Sequence, residues 1–260
     1  MRDCLTQFPY RRRLASERPG ILADVPEEGT RFPAKSVVAT LRDELPRATL
    51  AVAEKKAASD AEIKAAIKAH ELAKIGYDKI IAAEQKNPGT FQPDVVQQRT
   101  LDEANKALEV EVAQHAFDVA QLEVKQHQAE LASYEIRTER GGVVTRVLKK
   151  DGEGVQTAEE VLEIVDTSVV RVEGFADARH LAHLKPGASV EVVVQLPTTA
   201  RTEAPHRFSG QLGFVDVTLT AGQEVRVWAD IDNSTDLLRE GLEVELVIHP
   251  ATASSATAAP

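Results

Sequence analysis

Residues 45–131 hold hardly a helix-breaker outside one cluster, Asn87-Pro88-Gly89-Thr90-Phe91-Gln92-Pro93. Glycine and proline are the poorest helix formers, so a stretch this long with one such cluster reads as two helices folded back on each other. At 1.5 Å per residue, arms of about 40 residues reach about 60 Å. A rod of that length reaches and docks; it does not enclose a substrate. In the second arm Leu101, Asn105, Leu108, Val112, His115, Val119, Leu122, Gln126 and Ala129 recur at alternating spacings of four and three. That spacing predicts a coiled-coil seam with polar interruptions. In the first arm Ile63, Ala66, His70, Ala73, Tyr77 and Ile80 form the matching stripe. The two stripes are expected to face each other in an antiparallel hairpin that turns between Lys86 and Pro93. Pro93 suits a first helical position, and Asp94 complements the positive end of the helix.

Composition narrows the function classes. A net charge of −10 over 260 residues argues against nucleic-acid binding, which needs clustered Lys and Arg. The only basic cluster is Arg11-Arg12-Arg13. One cysteine, Cys4, excludes an intrachain disulfide framework. No run of 18 apolar residues exists to span a membrane, and the N-terminus carries no apolar stretch of the signal-peptide kind.

The hairpin, expected over 43–134, is flanked by β-type sequence on both sides. Residues 1–20 carry no periodicity and are expected to be disordered. Residues 21–42 hold two short apolar runs around one turn signal, and 135–166 hold Gly141-Gly142-Val143-Val144 and a tight turn at Asp151-Gly152-Glu153-Gly154. Neither side has enough strands to bury a core alone, so the two must pack together with the hairpin inserted between them. Further strands are expected at 169–175, 190–196, 208–217, 224–231 and 242–249, with a short helix at 177–184 ending before Pro186-Gly187. Five strands and a helix of this size predict a small closed barrel over 167–249. The Ala/Ser/Thr-rich tail, 250–260, is expected to be disordered. The fold class is thus α+β, elongated and modular.

This order resembles the HlyD-type membrane fusion proteins, the periplasmic adaptor subunits of bacterial efflux and secretion systems. Three stretches carry the resemblance. Glu28-Gly29 to Leu41 is similar to the first half of that family's lipoyl-like domain. Tyr134-Glu135-Ile136-Arg137, Gly142-Val143-Val144 and Gly154-Val155 are similar to its second half. Val225 to Val247, with Asp232-Asn233, Leu238, Arg239 and Gly241, is similar to the last barrel strands. The chain departs from the family where Thr138-Glu139 replaces its usual Ala-Pro, and neither the membrane-proximal domain of many adaptors nor an N-terminal anchor or export signal is expected within these 260 residues.

The resemblance implies a barrel-sandwich hybrid (lipoyl-like) domain from 21–42 plus 135–166. It also implies a non-catalytic subunit linking an inner-membrane transporter, of ABC or RND type, to an outer-membrane channel. Such a subunit is periplasmic, associated with the inner membrane, and homo-oligomeric in the assembled complex. The hairpin tip is the expected docking element, through Thr90, Phe91, Gln92, Asp94, Val95 and Arg99, with Phe91 as an exposed anchor.

Catalytic motifs are absent: there is no phosphate-cradling loop, nucleophile elbow or His-Glu-x-x-His. Asp230-x-Asp232-x-Ser234 begins like a calcium loop but has Thr235 where glycine belongs and Gly241 where glutamate belongs. His180 and His183 sit three apart without a nearby third ligand, and neither metal nor cofactor is expected. Two other readings compete with the adaptor. One is a coiled-coil scaffold with no transport role. The other is a lipoyl- or biotinyl-carrier module, which needs a modifiable lysine in a tight strand-to-strand turn, and the helical insertion takes the place of that turn.

Overall fold

The computed structural model describes residues 4–194 and 205–249. The chain divides into two compact units, residues 1–40 with 136–260, and residues 41–135.

Among the described residues, the regular structure of the first unit is β apart from one 3₁₀ turn. Its strands are β1 (Cys4–Gln7), β2 (Arg11–Ala15), β3 (Gly20–Asp24), β4 (Arg31–Phe32) and β5 (Val37–Leu41), whose last residue belongs to the second unit. After the helices come β6 (Glu135–Arg137), whose first residue belongs to the second unit, β7 (Gly142–Val147), β8 (Gly154–Val155) and β9 (Glu160–Val165). The series ends with β10 (Val169–Asp177), β11 (Ser189–Val194), β12 (His206–Leu219), β13 (Glu224–Asp232) and β14 (Glu243–Ile248).

Two four-stranded sheets, ordered β2-β9-β7-β4 and β6-β5-β3-β8, mix strands from before and after the helical segment. Neither set of strands pairs only within itself. β9 is buried continuously from Val161 to Val165, so protein covers both of its faces. The expected double glycine has a local cause there. A Cβ on Gly142 would lie 2.5 Å from the Val165 carbonyl oxygen, so β7 approaches β9 too closely for any side chain at that position.

The remaining strands close a barrel, β1-β10-β13-β12-β11-β14. Inward residues alternate along each strand, with Val170 and Val172 on β10, Val225, Val227, Ala229 and Ile231 on β13, and Leu246 on β14 all fully buried. The expectation of disorder over residues 1–20 is corrected for the described part, which holds β1 and β2. β1 pairs with β10 on one side and β14 on the other, making the barrel six-stranded. Cys4 and Thr6 point inward and Leu5 and Gln7 outward or partly so, an alternation short enough to escape a periodicity search. Five strands would leave two unpaired edges, and β1 fills the gap between them. β2 likewise pairs antiparallel with β9, and the Arg11-Arg12-Arg13 cluster is therefore strand rather than tail. The expected helix at 177–184 is a 3₁₀ turn, Ala178–His183, opened by the Asp177 carboxylate accepting from the Arg179 backbone N–H at 2.8 Å. The expected strand end at 195–196 and the tail at 250–260 lie outside the described residues.

The second unit holds α1 (Glu44–Ala57), α2 (Ala61–Lys86) and α3 (Pro93–Ala132). Both α1 and α2 pack on α3, so the first arm and α3 form an antiparallel hairpin. The first arm is not continuous, as the sequence suggests, but breaks at residues 58–60. Ala58, Ser59 and Asp60 are exposed, and serine and aspartate side chains compete with the helix for backbone hydrogen bonds. The Ala57 carbonyl faces the break and accepts instead from Gln121 Nε2 of α3 at 3.0 Å.

Candidate docking surfaces

The tip turns between Lys86 and Pro93, as the breaker cluster requires. Gly89 takes φ +87°, a conformation that glycine adopts without strain. Pro93 occupies the first turn of α3, after Gln92 in extended conformation. One side chain organises the loop. The Glu84 carboxylate accepts from the Gly89 N–H at 2.6 Å and from the Phe91 N–H at 3.2 Å. These two backbone donors, Gly89 first, hold the Glu84 pKa below the ordinary glutamate value. The sequence offered no signal for Glu84, because its role depends on where the turn returns the backbone.

Of the expected tip residues, Thr90, Gln92, Asp94, Val95 and Arg99 are exposed. Phe91 is not. It is half-buried, with its N–H engaged by Glu84. An aromatic ring beside a tight turn gains by tucking against the hairpin, so the expectation of Phe91 as an exposed anchor is corrected.

The larger correction concerns α3. In the first arm, Ile63, Ala66, His70, Ala73, Tyr77 and Ile80 are all half-buried, as a seam requires. On α3 the expected stripe faces away from the hairpin interior. Leu101 is 55% exposed, Leu108 57%, Val112 69% and Leu122 60%. Val119 and His115 are exposed as well. The seam runs instead through Val96, Val110, Ala113, Phe117, Ala120, Val124 and Leu131, with Ala120 buried. This stripe has the same alternation of three and four in a different phase. Ala53 and Ala57 are the buried helical alanines of α1, and small residues let backbones approach closely where leucine would hold them apart. Three cross-hairpin bonds set the register: Lys56 Nζ to Glu123 at 2.9 Å, Gln121 to Ala57, and His70 Nε2 to Glu103 at 2.9 Å.

Elsewhere the chemistry is sparse. Asp230 binds Arg171 through both oxygens, at 2.8 and 2.9 Å, as half of an ion pair rather than of a calcium loop. A cavity of about 390 Å³ beside the 3₁₀ turn includes His180, His183, Leu184 and Ile248. Its acid, Asp177, is held to a pKa of about 2, chiefly by the Arg179 side chain and next by its backbone N–H. Among the described residues no group of three His, Cys, Asp or Glu could hold a metal ion. No described helix is long and apolar enough to cross a membrane. The β5–β6 connection, where a carrier domain would present its lysine turn, is the helical hairpin.

The fold is shared with solved membrane fusion and adaptor proteins. MacA from Actinobacillus actinomycetemcomitans superimposes with a TM-score of 0.70 at 19% identity, over 94% of this chain and 76% of that one. The membrane fusion protein Spr0693 from Streptococcus pneumoniae R6 gives a TM-score of 0.60 at 13% identity, over 96% of this chain and 98% of that one. No family model matches the chain, and no curated protein matches it in sequence.

Proposed function

We propose that this chain is a non-catalytic periplasmic adaptor, associated with the inner membrane, that links an inner-membrane transporter of ABC or RND type to an outer-membrane channel. In this reading the two four-stranded sheets are the lipoyl-like domain of such a protein, and copies of the chain assemble side by side. The observation that carries the reading is the water-facing stripe of α3. Leu101, Leu108, Val112, Val119 and Leu122 keep coiled-coil spacing over more than 20 Å, yet none of them serves the hairpin's own seam. An apolar stripe left in water along a whole helix suits a helix of another molecule. Charge supports a second copy as that molecule. α3 carries eight acidic against three basic residues, and α2 carries four acidic against five basic. An α3 face laid on a neighbour's α2 therefore sets charges of opposite net sign against each other. The tip residues Thr90, Gln92, Asp94, Val95 and Arg99 are then the surface offered to the channel.

The test is complementation of export in cells lacking the chain, with Leu101→Glu, Leu108→Glu and Leu122→Glu combined. The variant should fold with an unchanged melting temperature and fail to restore export. Restored export would remove the stripe from the mechanism. A second arm, Gln92→Glu with Arg99→Glu, asks the same of the tip.

A further inference from the structure

The end of one sheet carries two arginines at its opposite corners. In the sheet β2-β9-β7-β4, Arg11 pairs with Val165, Val165 with Val143, and Val143 with Arg31, so these four residues form one row across all four strands. Arg11 stands on one edge strand and Arg31 on the other. Both reach out of the sheet to one short loop of the barrel. Arg11 Nη2 bonds Glu240 Oε2, and Arg31 Nη2 bonds Asp236 Oδ2 at 2.5 Å.

The loop is built to hold those carboxylates in place. Asn233 is buried and ties its two ends together, its Oδ1 accepting from the Leu238 N–H at 2.9 Å and its Nδ2 donating to the Leu238 carbonyl at 3.1 Å. Asp236 takes φ +55°, where an aspartate or asparagine is tolerated better than most residues. Burial pushes the Asp236 carboxyl up, but Arg239 and Arg31 more than offset it, and its pKa lies below the ordinary aspartate value. Arg11 is held from behind by the buried Glu163 at 3.2 Å, so it too is aimed before it meets the loop.

Only two short connections join sheet to barrel, residues 8–10 and 166–168. They run side by side, with the Asp166 N–H donating to the Tyr10 carbonyl at 3.0 Å. Beside them a cleft of about 370 Å³, with polar and apolar lining mixed, lies between Arg31, Phe32 and Gly142 on one wall and Ser234 and Asp236 on the other. The sheet end meets the barrel loop across this cleft through the two charge pairs, while Asn233 ties the loop to the 166–168 connection, its Nδ2 donating to the Thr167 carbonyl at 3.0 Å and its N–H to the Ser168 carbonyl at 2.8 Å.

We propose that Arg11–Glu240 and Arg31–Asp236 form a two-point electrostatic latch that holds the barrel against the sheet end, and that releasing it lets the barrel swing on the paired connections. The four side chains are roughly one-third to three-fifths exposed. Pairs of that kind individually shift an equilibrium by no more than about five-fold. Engaged together on a tethered partner they act jointly, so losing both should change the closed-to-open ratio on the order of ten-fold. The latch sits at the ends of two rigid bodies, where a small bias in energy becomes a large change in direction. It is a property of the chain by itself and does not depend on the adaptor reading.

The experiment is an electron–electron distance measurement between nitroxides at Arg146→Cys on β7 and Gln211→Cys on β12, both exposed positions, with the buried Cys4 replaced by alanine throughout. The parent is compared with Asp236→Asn combined with Glu240→Gln. These substitutions remove both loop charges while leaving Arg11 on Glu163, and asparagine accepts the left-handed backbone at 236. At about 0.01 M salt, where screening reaches about 30 Å, the parent should give one narrow distance and the variant a broad distribution. At about 1 M salt, where screening falls to about 3 Å, the parent should broaden to match the variant. A variant that superimposes on the parent at low salt overturns the latch, and so does a parent whose distribution ignores salt.

Discussion

The barrel and the hairpin obtain order in opposite ways. The barrel hides nearly every inward residue, including Val172, Val192, Val227, Ile231 and Leu246, each with no surface left in water. α2 has no fully buried residue, and α3 has one, Ala120. The barrel therefore depends on volume, where each missing methylene leaves a hole. The hairpin depends on length, register and a half-buried seam that lets two helices lie close at Ala53, Ala57 and Ala120. The same difference explains where apolar surface is spent: inside the barrel, but along the outside of α3.

The first way to break this comparison is to cut volume from the barrel. Leu246→Ala should lower unfolding free energy by about 2–5 kcal/mol, read by urea denaturation. A loss below about 1 kcal/mol would mean the barrel core is looser than its burial indicates. Next comes close approach without a cavity. Gly142→Ala drives a Cβ against the Val165 carbonyl and should cost about 1–3 kcal/mol by the same measurement.

Changes in the hairpin should be smaller. His70→Ala removes a half-buried cross-arm pair with Glu103 and should cost about 0.2–1 kcal/mol, with faster amide exchange around residues 66–74 if the pair guards the register. Leu108→Gln with Val112→Gln should stay within about 0.5 kcal/mol in the isolated chain, because both side chains already face water. A large loss of stability in that variant would show that the stripe belongs to the hairpin after all.

The smallest effect is a titration. The folded Glu84 pKa is lowered, so whatever order its carboxylate lends the tip is present above the ordinary glutamate pKa and is lost as pH falls through its lower folded value. Carboxyl chemical shifts of Glu84 should report a midpoint below those of exposed glutamates, and the Gly89 and Phe91 amides should shift with it. A midpoint at the ordinary value would show that those amides do not bind the carboxylate.

Much of the molecule was legible because local chemistry and period speak for themselves. Residues 87–93 announce a turn, and the turn is there. The spacing of Ile63, Ala66, His70, Ala73, Tyr77 and Ile80 names a buried face, and that face is half-buried along its length. Strands around Val169, Val190, Phe208, Glu224 and Val244 follow from alternation with turns between them. Local sequence could not decide which partner each element finds. α3 carries two stripes with equally good heptad spacing, and only the packing of the two arms selected which of them forms the seam. Residues 4–15 look featureless in isolation because four or five residues are too few to show a period; the order of β1 comes from barrel edges some 165 to 240 residues away, and that of β2 from β9, some 145 to 155 residues away. Glu84 and the Arg11–Glu240 and Arg31–Asp236 pairs are long-range meetings of ordinary surface residues. Spacing and composition determine which elements form, because they act within a few turns of chain. Partners, phase and charge pairing were decided by tertiary structure, because their energies exist only once distant segments touch.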